Sequence, residues 1–456
     1  MLPYQTRSSK IHGPHPFIAS LKRRRTQLLR IFCCLVILAW CLLSVQGPRR
    51  VAEDEEAYPS SCGSDLKGML PIFSNLKTKL LHMALEAMQT EGLTQVNLVE
   101  GLIKSKRPAP AAMPFVMSDS FNAEADISYS PPHKKGIGVV VELKDEYDEG
   151  FQKEVNLIYR EKLGQLRPVL VHVERGRCCA MAPVIDGIHV PMVLVSAGYD
   201  NHGSPFHNFS KDQAPKCART IIRDVKVAGW VVGQFATAFN MENFEGMDKL
   251  IHVPIGMGFK GKLRVGVPLE TFYSTATSAF QKLKRGAHPS ELVFASFDIH
   301  HEGTTGRRDV SNALEANFEG LVNQPYEATE TVQCSLNAVF GASPRGTGFD
   351  CWRHYEFLSA GSVVLASDHP VLRHLLEKLP VVFISDWSLV TCRFLKEAAL
   401  AVTELMDMYD FSRLTQRYWT IYAWQEVRNA GEGKRREYPP TTWGLTDRDI
   451  CSRGGC

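Results

Sequence analysis

The sequence predicts an α/β fold made of two successive halves, each a parallel sheet covered by helices, behind an N-terminal membrane anchor and a stem. Three observations carry that prediction. Short apolar runs alternate with helix-like stretches from Gly136 to Lys284, the alternation resumes at Glu291 and continues to Ile384, and the apolar run Leu28–Val45 stands ahead of both. Parallel strands need crossover connections, usually helices, so such alternation is the signature of a parallel sheet. At 456 residues the chain can hold two ordinary domains and extra segments, and its 44% hydrophobic content is that of a globular protein.

Residues 1–27 read as a cytosolic tail and 28–45 as a signal-anchor transmembrane helix. The run LLRIFCCLVILAWCLLSV is apolar except for Arg30 and follows Lys22, Arg23, Arg24 and Arg25. Roughly twenty apolar residues span a bilayer, so the run is at the short end. Positive charge upstream holds the N-terminus in the cytosol, and Arg30 can snorkel to the headgroups. A cleaved signal peptide is the alternative, but a long stretch precedes the apolar core. The expectation is a single-pass type II protein whose remaining chain is lumenal or outside the cell. Of twelve cysteines, Cys33, Cys34 and Cys41 lie in the apolar run. The others (Cys62, Cys178, Cys179, Cys217, Cys334, Cys351, Cys392, Cys451 and Cys456) are odd in number, so pairing leaves at least one free or intermolecular. The sequon Asn208-Phe209-Ser210 agrees with a lumenal address. A net charge of +3, with its basic residues concentrated near the N-terminus, argues against a nucleic-acid binder.

Residues 46–135 read as stem and linker. Pro48–Gly63 is acidic, and Pro108–Pro132 is rich in Pro, Ala, Ser and Asp. Between them, Leu66–Lys104 places Leu76, Leu80, Met83, Ala84, Ala87 and Met88 on one helical side. That pattern suits a stem helix, a coiled-coil segment or a helix packed on the folded part. The N-terminal half, 136–285, has expected strands at Ile137–Leu143, Val169–Val173, Pro191–Ser196, Trp230–Thr237 and Leu250–Pro254. Helices are expected at Glu149–Leu163, from Lys216 to Asp224 and at Pro268–Lys284, with a polar loop over Ala197–Ser210. The C-terminal half, 286–410, has expected strands at Glu291–Phe297, Leu336–Phe340, Ser362–Ala366 and Val381–Ile384. Its helices fall at Arg307–Glu315, Asp350–Ser359, Val371–Lys378 and Thr391–Tyr409, and residues 411–456 form a helix (Phe411–Arg428) and a tail. Two such halves are Rossmann-like, and ligands in these sheets lie at the carboxyl ends of the strands.

One stretch carries chemistry. Ser343–Pro370, SPRGTGFDCWRHYEFLSAGSVVLASDHP, is a Gly-punctuated loop after a strand, a helix with Arg353 and Glu356 one turn apart, and a buried strand. Unpaired backbone N–H groups and the helix dipole favour an anion there. Arg345 and Arg353 add charges suited to phosphate oxygens, Gly346 and Gly348 let the backbone approach, and Glu356 offers acceptors to a sugar hydroxyl. The combination suggests a nucleotide-sugar site, with Arg307 and Arg308 at another helix start as further phosphate candidates. Plainer readings stand beside these: an i,i+3 ion pair for Arg353 and Glu356, a turn for the glycines, and a cap with a packed aromatic for Asp386-Trp387. Asp200 and His202 in the polar loop are candidates for a general base, against a turn-forming aspartate and a surface histidine. No metal is expected. Asp298, His300, His301 and Glu302 crowd one loop, and Asp447-Arg448-Asp449 places an arginine between its carboxylates.

The Ser343–Pro370 run, followed by LPVVFISDWSLVT (Leu379–Thr391), resembles the C-terminal half of exostosin-like glycosyltransferases, in the branch that includes ribitol xylosyltransferase. The shared elements are a PRG-x-G-x-D-x-x-R-x-x-E pattern, a strand, a proline and a DW pair. LVFASF ahead of Arg307 and Arg308, HVPIGMGF (His252–Phe259) and VLVSAGYDNHGSPF (Val193–Phe206) resemble the family's upstream segments, so the likeness covers residues 190–392. Trp352 and His354 are bulkier than the pattern has, and WVVGQFATAFN departs from it. The resemblance implies a GT-B fold, two facing Rossmann-like domains with the donor held mainly by the C-terminal one. It implies a Golgi-membrane glycosyltransferase that moves a sugar from a UDP- or GDP-linked donor to a glycan or glycoprotein, with neither metal nor cofactor. Arg345 and Arg353, with Gly346 and Gly348, would stabilise the leaving diphosphate, and Glu356 would contact the donor ribose or sugar. A catalytically inactive carbohydrate-binding or scaffold protein of the same fold is the alternative, and assembly as a homo-oligomer or heteromer is compatible with either.

Overall fold

The computed structural model describes residues 63–102, 125–129, 140–163, 167–173, 178–196, 214–233, 249–259, 262–263, 266–299, 306–318, 321, 323, 327–346, 349–432 and 444–456. The expected cytosolic tail and anchor (1–45) lie outside these residues. Among the described residues no helix is long and apolar enough to cross a membrane. The architecture is α/β with two five-stranded, wholly parallel sheets.

The first element corrects the stem reading. Helix α1 (Gly63–Leu102) is built into the folded body. Met69, Phe73, Leu76, Leu80, Leu81, Ala84, Leu85 and Met88 are buried along one stripe and join the core of the C-terminal half. Phe73 meets Phe340 edge-on, with ring centroids 6.4 Å apart. Gly361, at φ 73°, lies against the helix backbone, and a Cβ there would come within 2.5 Å of Leu81 Cα. Lys77 sits in the middle of this apolar stripe, wholly buried, and donates to the Ser335 carbonyl (3.1 Å) and to Ser362 Oγ (2.8 Å). Burial lowers its ammonium pKa well below the ordinary lysine value, against the opposing pull of Glu291.

The N-terminal sheet runs in the order β1 to β5. Strand β1 is Ile127–Tyr129, within the segment expected as linker. The strand expected at Ile137–Leu143 is not formed where it is described: Val140–Leu143 open helix α2 (Val140–Leu157), which runs on as a π turn to Lys162. The charged residues after Leu143 repeat at helical spacing, as in the Glu149–Lys153 pair (3.6 Å), and carry the valines into the helix. Ile127–Tyr129 instead finds a parallel partner in β2 (Val169–Val173). Asp126 locks that edge with a bidentate pair to Arg167 (2.8 Å each) and accepts from Leu170 N–H. Strand β3 (Met192–Ser196) sends Met192 and Leu194 to one core and Val193 and Val195 to the other, the period of two expected of a strand covered on both faces. Helix α3 (Ala214–Arg223) leads to β4 (Val227–Val232), which starts three residues earlier than Trp230, its expected first residue. Trp230 is buried and donates its indole N–H to Ser196 Oγ at 3.1 Å. Strand β5 (Leu250–His252), the hairpin of β6 (Gly258–Phe259) and β7 (Lys262–Leu263), and helix α4 (Leu269–Lys284) complete this half.

The second sheet comprises β8 (Glu291–Ala295), β9 (Ala338–Ser343), β10 (Val363–Ser367), β11 (Val381–Ile384) and β12 (Leu445–Thr446), in the spatial order β12-β11-β10-β9-β8. Helices α5 (Arg307–Asn317) and α6 (Ala328–Asn337) lie between β8 and β9. Leu336, expected to begin a strand, closes α6 instead. Helix α7 (Trp352–Ser359) follows β9, α8 (Pro370–Leu375) follows β10, and α9 (Cys392–Glu404) follows β11. The helix expected over Phe411–Arg428 divides into a 3-10 turn and α10 (Gln416–Gly431), because Thr415 caps the latter. Helix α10 leaves the C-terminal half and packs Ala423 and Val427 beside Val193, Val231 and Ile251 of the first sheet.

The C-terminal tail is also integral. Leu445–Thr446 extends the second sheet, and α11 (Asp447–Ser452) is followed by the Cys451–Cys456 disulfide. Cys217 and Cys392 are disulfide-bonded as well, while Cys334 and Cys351 are free thiols.

Candidate functional site

The carboxyl edge of the second sheet carries a cavity of about 360 Å³, a volume typical of small-molecule sites (roughly 300–1,000 Å³). Its walls come from the start of α5, from the exit of β9 at Pro344 and Arg345, from Ser367 at the end of β10, and from Ser385–Ser388 beyond β11. Gly306 takes the left-handed conformation (φ 93°) that turns the chain into α5, and no side chain caps the helix start. The positive end of its dipole therefore belongs to the cavity.

Two of the expected arginines meet here. Arg307 is buried and donates through Nε to the Arg345 carbonyl (2.9 Å) and through Nη1 to the Asp298 carbonyl (3.0 Å), over the ring of Phe297. It clasps the β9 loop to the loop after β8 while forming part of the wall. Arg345 N–H donates to Ser367 Oγ (3.1 Å), and its guanidinium lies over the Phe349 ring at 5.4 Å. Phe349 in turn stacks on His369. Burial and Arg345 depress the His369 pKa to about 4, against Asp368, so its ring is neutral at physiological pH. Arg308 is exposed and forms no part of the wall.

Arg353 and Glu356 lie on α7, half-buried and buried respectively, and neither lines the cavity. Arg353 and Arg307 both act electrostatically on Cys351. Burial pushes the Cys351 thiol pKa up, while Arg307 and Arg353 both pull it down. Gly346 directs its backbone hydrogen bond to Cys351, so that amide serves the loop rather than a bound anion. Gly348, Asp200, His202 and Asn208 lie outside the described residues.

Several residues of the site escape a reading of the sequence. His354 Nδ1 accepts from Cys351 N–H (3.1 Å) and Nε2 faces the Ser343 carbonyl (3.2 Å), which puts the ring proton on Nε2. The imidazole thereby staples the end of β9 to the first turn of α7, which accounts for a bulky residue beside Arg353. Asp350, buried, accepts from Ile255 N–H. Gly341 is required because a Cβ there would overlap the Phe357 ring. The Asp386-Trp387 pair is a cap with an aromatic, as the plainer reading has it, and also a wall of the cavity. Gly306 before Arg307 is a sequence sign of the α5 start that the sequence reading of the arginines does not use.

The carboxylates of Asp447-Arg448-Asp449 serve the fold. Burial raises the Asp447 pKa, but hydrogen bonds from Ser385 Oγ (2.6 Å), Ser385 N–H (2.7 Å) and Asp386 N–H (3.0 Å) outweigh it and hold it below the usual carboxylate value. Asp449 completes the capping box of α11 with Thr446. Among the described residues no group of three or more His, Cys, Asp or Glu could hold a metal ion. No protein-family model and no curated protein matches this sequence.

Proposed function

We propose that this chain is a glycosyltransferase that moves a sugar from a nucleoside-diphosphate donor to a glycan or glycoprotein acceptor. The observation that carries the reading is the meeting of Arg307, Arg345 and the uncapped start of α5 in one cavity at the carboxyl edge of the second sheet. In this reading the bond between the sugar C1 and the diphosphate oxygen breaks as the acceptor hydroxyl oxygen bonds to C1. The electron pair leaves on the diphosphate, and the hydroxyl proton goes to a base, for which Asp200 and His202 are the candidates. Fixed guanidiniums and a helix N-terminus stabilise the departing charge without a metal, being aimed before the reaction starts. Arg353, which does not line the cavity, adds its charge to the same edge of the sheet in this reading. In this reading the two sheets form a GT-B pair with the acceptor between them, and the apolar Leu28–Val45 run after Lys22–Arg25 supports a type II Golgi-membrane address with this part lumenal.

Thermal-shift measurements with UDP, GDP and their sugar conjugates, followed by transfer and hydrolysis assays, test the proposal. Arg345→Ala removes one charge-stabilising group and is expected to cost on the order of 3 kcal/mol of barrier, a loss of more than a hundredfold in turnover. A protein that binds no nucleoside diphosphate, or one whose turnover is indifferent to Arg345, overturns it.

A further inference from the structure

We infer that His354 is a positioning residue for Arg345: its neutral ring holds the loop that presents that arginine to the cavity. The inference rests on the donor-site reading above and names a residue behind the cavity wall that does not itself touch a ligand.

The ladder between β9 and β10 ends at Ser343. Beyond it, side chains hold the backbone one carbonyl at a time. The Ser343 carbonyl accepts from His354 Nε2 (3.2 Å), the Pro344 carbonyl from Cys351 Sγ (3.7 Å), and the Arg345 carbonyl from Arg307 Nε (2.9 Å). Arg345 N–H completes the set on Ser367 Oγ (3.1 Å). Of these clasps the thiol is a weak donor, and Arg307 and Ser367 belong to the cavity wall. His354 stands outside the wall and is wholly buried, so water cannot take its place.

The ring can hold the loop in one form only. Cys351 N–H is a donor and meets Nδ1 at 3.1 Å, while the Ser343 carbonyl is an acceptor and meets Nε2. A proton moved to Nδ1 would oppose Cys351 N–H and leave two lone pairs facing each other at Ser343. The turn behind the ring is itself anchored. Asp350, whose Oδ1 lies 3.5 Å from Nδ1, accepts Ile255 N–H through Oδ2 at 2.8 Å. The start of α7 is thus a fixed base against which the imidazole sets the exit of β9. Such aiming matters, because a group that stabilises developing charge must be in place before the reaction, and a misplacement of about 1 Å can cost on the order of a hundredfold.

Titration of the purified protein with UDP and GDP tests the role, on wild type, His354→Asn, Arg345→Ala and the double variant. Asparagine keeps an acceptor for Cys351 N–H but does not reach Ser343. His354→Asn should lose at least fivefold in affinity for the tighter-binding diphosphate. The double variant should bind as Arg345→Ala does, because a loop with no guanidinium to present has nothing left to misplace. Losses that multiply would mean that His354 acts on the fold alone, and they overturn the positioning role, as does unchanged affinity in His354→Asn. Either result leaves the donor site standing. If wild type binds neither diphosphate, or binds them indifferently to Arg345, the donor-site reading itself falls. His354→Gln, whose amide nitrogen reaches Ser343, should bind within twofold of wild type; a fivefold loss counts against the role. Nitrogen-15 NMR of the wild-type ring needs no variant. It should show the proton on Nε2 at pH 7, and a proton on Nδ1 overturns the inference.

Discussion

Asp350 Oδ2 accepts the backbone N–H of Ile255 at 2.8 Å, across 95 residues of sequence. The aspartate of the Gly-rich motif is thus a strut. It joins the start of α7 in the C-terminal half to the segment that follows the last strand of the N-terminal sheet. Both groups are buried, so water cannot replace either partner.

Removing the strut should therefore show in stability as well as in activity. Hydrogen bonds to charged groups contribute about 1.5–3 kcal/mol. Asp350→Ala is expected to lower unfolding free energy by that amount in urea titrations. Asp350→Asn, which keeps an acceptor oxygen, should lose less. Equal losses for the two variants would mean that packing rather than the hydrogen bond is at stake.

Lys77 gives the fold a pH dependence with a defined sign. Its folded pKa is lowered by burial, so on lowering pH the unfolded chain takes up this proton before the native chain does. The native state is favoured fully above the ordinary lysine pKa, about 10.4, and that contribution falls away as pH drops toward the folded value. Lys77→Met removes the dependence while filling the same stripe. Its advantage over wild type should grow from pH 9 to pH 5 in paired urea titrations. Parallel curves would show that Lys77 keeps its proton in the fold.

His369 acts in the acid range. With its pKa depressed to about 4, the folded ring stays neutral while the unfolded ring charges near 6.5. The stability it contributes is complete above 6.5 and is lost as pH falls through 4. His369→Asn keeps a capping side chain for α8 and should flatten this part of the profile. An NMR titration of the ring should give a midpoint near 4, and a midpoint near 6.5 would contradict the burial beside Arg345.

Gly361 tests the place of α1. Its φ of 73° is left-handed, and a Cβ there would meet Leu81 backbone. Gly361→Ala costs about 1–2 kcal/mol for the conformation alone, and the close approach adds to it. Limited proteolysis should cut α1 faster in the variant. If α1 were only a stem, its cleavage rate would not change.

Much of the second half was legible. The valine-rich runs at β10 and β11 are buried on both faces and bounded by turn residues, and the expected spans agree with the observed strands to within a residue. In the first half the same logic fails at Val140–Leu143. An apolar run that short does not distinguish a strand from a helix start, and the charges that follow decide. Of the site, Arg307 and Arg345 were recognisable by type and position, whereas the roles of His354, Asp350 and Asp386 depend on partners that spacing does not announce.

By itself the sequence determined the alternation of strands and helices, the apolar stripe of α1 and the placing of arginines after two strands, because these depend on local periodicity and residue type. Only the tertiary structure decided what the stripe covers, that Lys77 reaches Ser335 258 residues away, and that Leu445–Thr446 extends the second sheet. A helical pattern shows that a face must be buried; the surface that buries it is chosen by shape and by hydrogen-bond partners distant in the chain.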